Sequence, residues 1–327
     1  MKQFKYNTMD VFTSYATSVK NNILPTIIVE LGDHASRRFL EFFTANIRNI
    51  NTRKAYAKAI ANFLSWCENR GIQFKGIEPI TVAAYIEQHP ASPPTVKQHL
   101  AAIRMLFDWL VVGQVVPSNP ATYVRGPKYV VEMGKTPILS KDETRILLSG
   151  FDSSTVVGLR DRALIGVMIY SFARVGAVVA MKVEDYYWVG KRWLLRLHEK
   201  GGKYHEVPAH HKLEEYMDEY IQAASIGYDK KGPLFRTTMG KTKRLTIRPM
   251  HPADVFRMIR RKAKKAGIST PIGCHTFRAI GITNYLENGG TLEYAQAMAA
   301  HSSPRTTKLY DRTSNEITLD EVERIII

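Results

Sequence analysis

The residues with the most chemical potential lie in one short stretch, 275–310, which reads HTFRAIGITNYLENGGTLEYAQAMAAHSSPRTTKLY. It opens on His275-x-x-Arg278 and closes on His301 and, nine residues later, Tyr310. Two imidazoles, a guanidinium and a phenol suit attack on a phosphate. An arginine offers a planar fork of donors to phosphate oxygens. A tyrosine hydroxyl serves as a covalent nucleophile when a base or a hydrogen-bond partner eases its ionisation. A His-x-x-Arg pair recurs by chance, and a lone His or Tyr is more often a packing residue. The reading therefore depends on whether the rest of the chain supplies more phosphate ligands and a body that can hold a polyanion.

The charge balance points that way. The chain has 327 residues, with Lys+Arg 46 against Asp+Glu 30, a net charge of +16. Such an excess favours a polyanionic partner, of which nucleic acid is the commonest. Apolar residues make up 45%, enough to bury sizeable cores, and the length suits two domains. Cys67 and Cys274 stand in no CxxC or Cys/His spacing, so neither a disulfide framework nor zinc is expected and a reducing cytosol fits. No apolar run reaches the roughly 18 residues of a membrane span, and the N-terminus has no signal-peptide core. A cytoplasmic protein with no membrane partner is expected.

The elements that must position the chemistry follow from periodicity. Residues 1–34 are mixed and are taken as an N-terminal arm; Thr26 to Leu31 fits a short strand or a docking arm equally well. From Ser36 a helical period sets in, with Phe39, Leu40, Phe42, Phe43 and Ile47 on one face. Further helices are expected with Asn51 or Thr52 as N-cap and Gly71 as stop, over 80–88, and after Ser92-Pro93-Pro94. Together they predict an all-α bundle over 35–112. Its basic residues, Arg37, Arg38, Arg48, Arg53, Lys54, Lys58, Lys97, His99 and Arg104, are expected on its outside. Prolines and glycines break the period over 113–137, which reads as a linker, with Arg125, Lys128 and Lys135 suited to a strap across DNA.

A second domain, 138–327, opens on a capping box, Ser140 with Glu143. A long apolar helix over 155–172 leads to Arg174. Residues 188–207 change to a period of two, with Gly201-Gly202 as a hairpin turn flanked by Lys200 and Lys203. Residues 237–250 look basic and irregular. A helix over 252–266 carries six cations from Arg257 to Lys265 with Asp254 as the near acid. A run of that kind repels itself unless a polyanion neutralises it. The chain closes on EVERIII, an apolar end that would fold back or dock on another copy.

Arg174, Lys200, His275, Arg278, His301 and Tyr310 thus stand in order, within SFARVGAVVAMKVEDY, LHEKGGKYHEVP, CHTFRAIGITNYLENGG and AAHSSPRTTKLY. This order and spacing resemble the tyrosine recombinase (phage-type integrase) family, clearly over 139–315, and the bundle before it is similar to that family's core-binding, SAM-like domain. The resemblance implies a mainly α fold with a small β-hairpin or sheet in the catalytic domain, arranged as a two-domain, C-shaped DNA clamp. It implies a site-specific recombinase in which Tyr310 attacks a DNA phosphodiester, leaving a 3′-phosphotyrosyl link and a free 5′-hydroxyl. Arg174 and Arg278 would clamp the nonbridging oxygens, Lys200 would protonate the leaving oxygen, His275 would take the tyrosine proton and His301 would bond a phosphate oxygen. Asp185 matches a family acidic position and is expected to brace the fold. The covalent link conserves the phosphodiester's energy, so no cofactor and no metal is implied. The implied partner is a double-stranded recombination site, bound by a homo-tetramer in the synaptic complex and a monomer when free.

The positions expected to meet DNA are Arg53, Lys54, Lys97 and Arg104 on the bundle, Lys203 at the hairpin, and Lys241, Lys243, Arg244, Arg257, Arg260 and Arg261 beyond it. Three positions depart from the family pattern. The acid that often sits three residues after the first arginine is Ala177, the residue after His-x-x-Arg is Ala279 rather than His, and the residue before the second His is Ala300 rather than Gly. A type IB topoisomerase-like relaxase would share the chemistry, but the helical domain and the short spacing from His301 to Tyr310 weigh against it. The intact set of six weighs against a non-catalytic DNA-binding protein.

Overall fold

The computed structural model describes residues 24–131, 134–199, 204–240, 242–311 and 323. The chain divides into two compact units, Met1–Val130 and Val131–Ile327.

The first unit is helical: α1 (Thr26–Val29), α2 (Asp33–Glu41), a π-helical turn Phe42–Asn46, α3 (Ile50–Glu68), α4 (Pro79–Glu87) and α5 (Pro93–Val112). The stretch from Thr26 is neither strand nor extended arm. Pro25 fixes the first turn, Ile27 and Ile28 are buried, and the Ile27 N–H donates to Glu68 Oε1 at 2.9 Å. Packing overrides the β-branched propensity. The cap of α3 is Asn49, whose side chain accepts from the Asn51 and Thr52 N–H groups, and so lies earlier in the chain than expected. Gly71 takes φ +67° after α3, the left-handed conformation that suits a helix stop. Phe42, Phe63, Leu64, Ile103, Leu106 and Leu110 are buried in the core.

His99 is not on the outside as periodicity suggested; it is buried. Its Nδ1 lies 2.8 Å from the Tyr85 hydroxyl and 3.1 Å from His89 Nε2. Burial, then the charges of His89 and Lys58, holds its pKa below the usual histidine value. A polar ring is tolerated there because α4 supplies its hydrogen bond. After α5 the chain stays on the bundle: Ala121 and Val124 are buried, and the Arg104 guanidinium donates to their carbonyls.

The second unit is built around α7. The helices are α6 (Lys141–Ser149), α7 (Val156–Tyr170), α8 (Val175–Ala180), α9 (His211–Ala224), α10 (Pro252–Lys265), α11 (Cys274–Glu287), α12 (Leu292–Met298) and α13 (Pro304–Lys308). Ser140 and Glu143 form the capping box of α6. An antiparallel sheet runs in order β1 (Tyr186–Val189), β2 (Arg192–His198), β3 (Tyr204–Pro208). Leu195 pairs with Val207, and Leu195, Leu197 and Val207 all face the core. Residues 237–250 are more regular than their composition suggests: β4 (Arg236–Thr238) and β5 (Leu245–Pro249) pair antiparallel.

α7 is buried along most of its length, and its two buried charges, Arg160 and Asp161, pair with each other at 2.6 Å. α11 lies against it so closely that a Cβ at Gly281 would fall 2.1 Å from the Ile169 carbonyl oxygen. Asp185 is buried and accepts the Lys182 N–H at 2.9 Å, a bracing role. No helix among the described residues is long and apolar enough to cross a membrane.

Candidate active site

Arg174 is delivered by the end of α7. Phe172 turns the chain with φ +56°, and Arg174 then stands as the N-cap of α8. Its Nη1 donates to Glu199 Oε2 at 2.6 Å and its own N–H to Glu199 Oε1 at 3.1 Å. Arg278 sits one turn into α11 and is 1% exposed. Its guanidinium donates to the carbonyls of Phe172 and Ala299, which ties α11 to the ends of α7 and α12. Arg278 Nη1 is 4.0 Å from Glu199 Oε1. One buried carboxylate therefore faces both guanidiniums.

His275 is three residues before Arg278, on the same face of α11, and remains exposed. Its pKa is held below the usual value by desolvation and then by the charges of Arg278 and Arg174. The guanidiniums are the firmer cause, because the ring keeps a face in solvent. His301 is buried and follows α12 through Ala300, which takes φ +46°. A Cβ is costly in that conformation, which accounts for glycine as the family's usual residue there. His301 Nδ1 lies 2.9 Å from Thr307 Oγ1. Desolvation, then Arg278 and Arg174, pushes the His301 pKa down to about 4, so the imidazole is neutral at pH 7.

Tyr310 follows α13. Its ring lies parallel to that of His301, with centroids 5.9 Å apart and planes at 10°. Thr283 Oγ1 donates to its carbonyl at 2.9 Å, and its phenol favours the charged form of the Arg278 guanidinium. Burial and the neighbouring Arg174 lower the Arg278 pKa to about 10, while Glu199 and Tyr310 act in the opposite sense. At neutral pH Arg278 keeps its charge. Arg174, His275, Arg278, His301 and Tyr310 thus share one electrostatic site. Lys200, Lys203 and Lys241 lie outside the described residues, as do the terminal isoleucines.

A profile of the phage integrase family matches residues 137–316. The chain belongs to the phage integrase family. Among its relatives is the tyrosine recombinase XerD of Listeria monocytogenes, 25% identical over 276 residues, covering 80% of this chain and 87% of that protein. The tyrosine recombinase XerC of Leptospira interrogans is 27% identical over 271 residues, covering 81% and 84%. In fold, this family member is similar to the XerH site-specific recombinase bound to difH substrate in a pre-cleavage complex. That match has a TM-score of 0.62 at 20% identity, covering 83% of this chain and 78% of that one. It is similar also to a lambda integrase tetramer bound to a Holliday junction, with a TM-score of 0.64 at 19% identity, covering 86% and 79%.

Glu199 escaped the motif reading of this family member, though one signal was available. Leu195 and Leu197 face inward on β2, so the period of two points residue 199 inward as well. A carboxylate on that register needs a cationic partner. Of the positions expected at DNA, Lys54, Lys97, Lys243, Arg244, Arg257, Arg260 and Arg261 are exposed. Arg53 and Arg104 instead spend guanidinium donors on backbone carbonyls, Arg53 on that of Ile47 and Arg104 on those of Ala121 and Val124.

Proposed function

We propose that this protein is a site-specific DNA recombinase that cuts and rejoins DNA through a 3′-phosphotyrosyl intermediate. The observation that carries the reading is Tyr310, stacked on His301 and in electrostatic reach of Arg278, within a chain of the phage integrase family. The Tyr310 oxygen attacks phosphorus, and the bond from phosphorus to the 5′ oxygen breaks. His275, neutral at pH 7, accepts the phenol's proton. Lys200 protonates the departing 5′ oxygen. Arg174 and Arg278 hold the nonbridging oxygens, on which charge grows in the transition state. A neutral His301 that accepts the Thr307 hydroxyl at Nδ1, 2.9 Å away, keeps its proton on Nε2 and donates it to phosphate.

The helical first unit, with residues 113–124 packed on it, serves as the core-binding domain, and the strap is the stretch of 113–137 that follows Val124. Lys54, Lys97, Lys243, Arg244, Arg257, Arg260 and Arg261 contact phosphates, and Lys203 and Lys241 join them. The site of action is cytoplasmic DNA, and four copies assemble on it, as the lambda integrase tetramer on a Holliday junction suggests. The test is covalent capture. Nicked duplexes with a randomised central segment are incubated with the protein, and adducts that survive denaturation are amplified and sequenced. An adduct on a defined sequence, absent with Tyr310→Phe, supports the reading. No adduct from any pool ends it, and adducts without sequence preference or recombinant products indicate a relaxase.

A further inference from the structure

The geometry points to Glu199 as the positioning residue that sets both guanidiniums for the scissile phosphate, standing in for the acid that this chain lacks at Ala177. This deepens the recombinase reading and rests on it. The three residues after Arg174 run into α8, and Ala177 there is buried and ends in a methyl, which can accept no hydrogen bond. The two arginines nevertheless share an acid. Glu199 follows directly on β2, at the point where the strand leaves its last pair, His198 with Tyr204. Its side chain is 1% exposed. One oxygen takes the Arg174 N–H and faces Arg278 at 4.0 Å, and the other takes Arg174 Nη1 at 2.6 Å.

Three consequences of this geometry go beyond simple charge balance. First, Glu199 fixes the backbone of Arg174 as well as its side chain, so the guanidinium is held at both ends. A group held in this way loses little freedom when phosphate arrives. Second, the carboxylate lowers the repulsion between two guanidiniums that must converge on one phosphate. Burial and Arg174 already weaken the protonated form of Arg278, and Glu199 offsets this. Third, Glu199 is bonded to Lys200 through the chain. The proposed general acid therefore follows, one peptide on in the sequence, a residue that is fixed on the arginine clamp. An acid on α8 could not provide that link.

Glu199→Gln tests this on the duplex captured by the wild type. An amide can accept from the Arg174 N–H or from Nη1, but its NH2 group then opposes a guanidinium donor. The expected result is a fall of about a hundredfold in the rate of Tyr310 adduct formation, with affinity for the same duplex held within a factor of about two. The acid limb of the pH–rate profile should also move to lower pH, because Glu199 supports the protonated forms of His275 and His301. Glu199→Asp keeps the charge and should recover most of the rate. A Gln variant with the wild-type rate and pH profile overturns the proposal, as does a rate loss that only parallels a loss of DNA affinity. Should the amide variant fail to fold, the Asp variant decides. Its carboxylate, one methylene shorter, keeps the charge but not the reach to both arginines, so it should slow adduct formation by about three- to tenfold with DNA affinity unchanged, and a wild-type rate overturns the idea. If the wild type itself forms no adduct, the recombinase reading has failed instead.

Discussion

At the scale of single residues, the neutral state of His301 has a measurable cost. Its folded pKa is about 4, against 6.5 for a free histidine. Between those values the unfolded chain binds a proton that the folded chain refuses, so stability rises with pH through this window. Acidification from pH 7 towards pH 4 should therefore remove on the order of 3 kcal/mol from this residue, the equivalent of its shift. Denaturant melts of the wild type and His301→Gln at several pH values check this. The wild type should lose stability faster than the variant below about pH 6.5, and equal slopes would show that His301 titrates normally in the fold. Five members of the proposed site were legible as residues because the family order and spacing fix them. Glu199 was less so, because its role depends on α8 meeting the end of β2, which no local pattern specifies. His99 was misplaced for a similar reason, since its partner Tyr85 lies on another helix.

At the scale of elements, the decisive contact is α11 on α7. α11 carries His275 and Arg278, and just past the end of α7 the Phe172 carbonyl receives Arg278. Gly281→Ala would place a Cβ 2.1 Å from the Ile169 carbonyl and 2.8 Å from the Phe172 ring. Neither helix backbone can yield cheaply, so a loss of about 3 kcal/mol is expected, together with slower adduct formation. A calorimetric melt superimposable on that of the wild type would show that the helices have room. The helices were legible from period and punctuation: Ser140 with Glu143 opened α6 as expected, and Pro93 opened α5. What resisted was the short, tertiary-determined structure. α1 forms on a β-branched run because Glu68 and the core receive it. The pairing of β4 with β5 is hidden beneath a run of cations, since strand order there depends on what lies beneath.

At the scale of the whole molecule, a net charge of +16 has to be expressed in how DNA affinity depends on salt. Each phosphate neutralised contributes a slope of about −0.9 to log K against log salt. α10 exposes Arg257, Arg260 and Arg261, of which Arg257 is paired with Asp254. Arg260→Ala and Arg261→Ala should each flatten the slope by about 1 and weaken all sequences alike. Fluorescence anisotropy on a labelled duplex over a salt series measures this, and an unchanged slope in both variants would place DNA elsewhere. Charge was the most legible property of the chain, being additive over residues and independent of fold.

The hydrogen bond from the Gly134 N–H to the Leu309 carbonyl, 2.8 Å long, has a topological consequence. Leu309 immediately precedes Tyr310, and Gly134 lies near the start of the second unit. The chain thus enters this unit and returns from its last described helix at the same seam. The seam closes a loop that contains α6 through α13, and Tyr310 sits on the knot. Tension drawn between the two ends of the loop bears on that bond and, through the Thr283 hydroxyl on the Tyr310 carbonyl, on α11. Tyr310 is thereby among the first residues of the unit that a pull along the chain reaches.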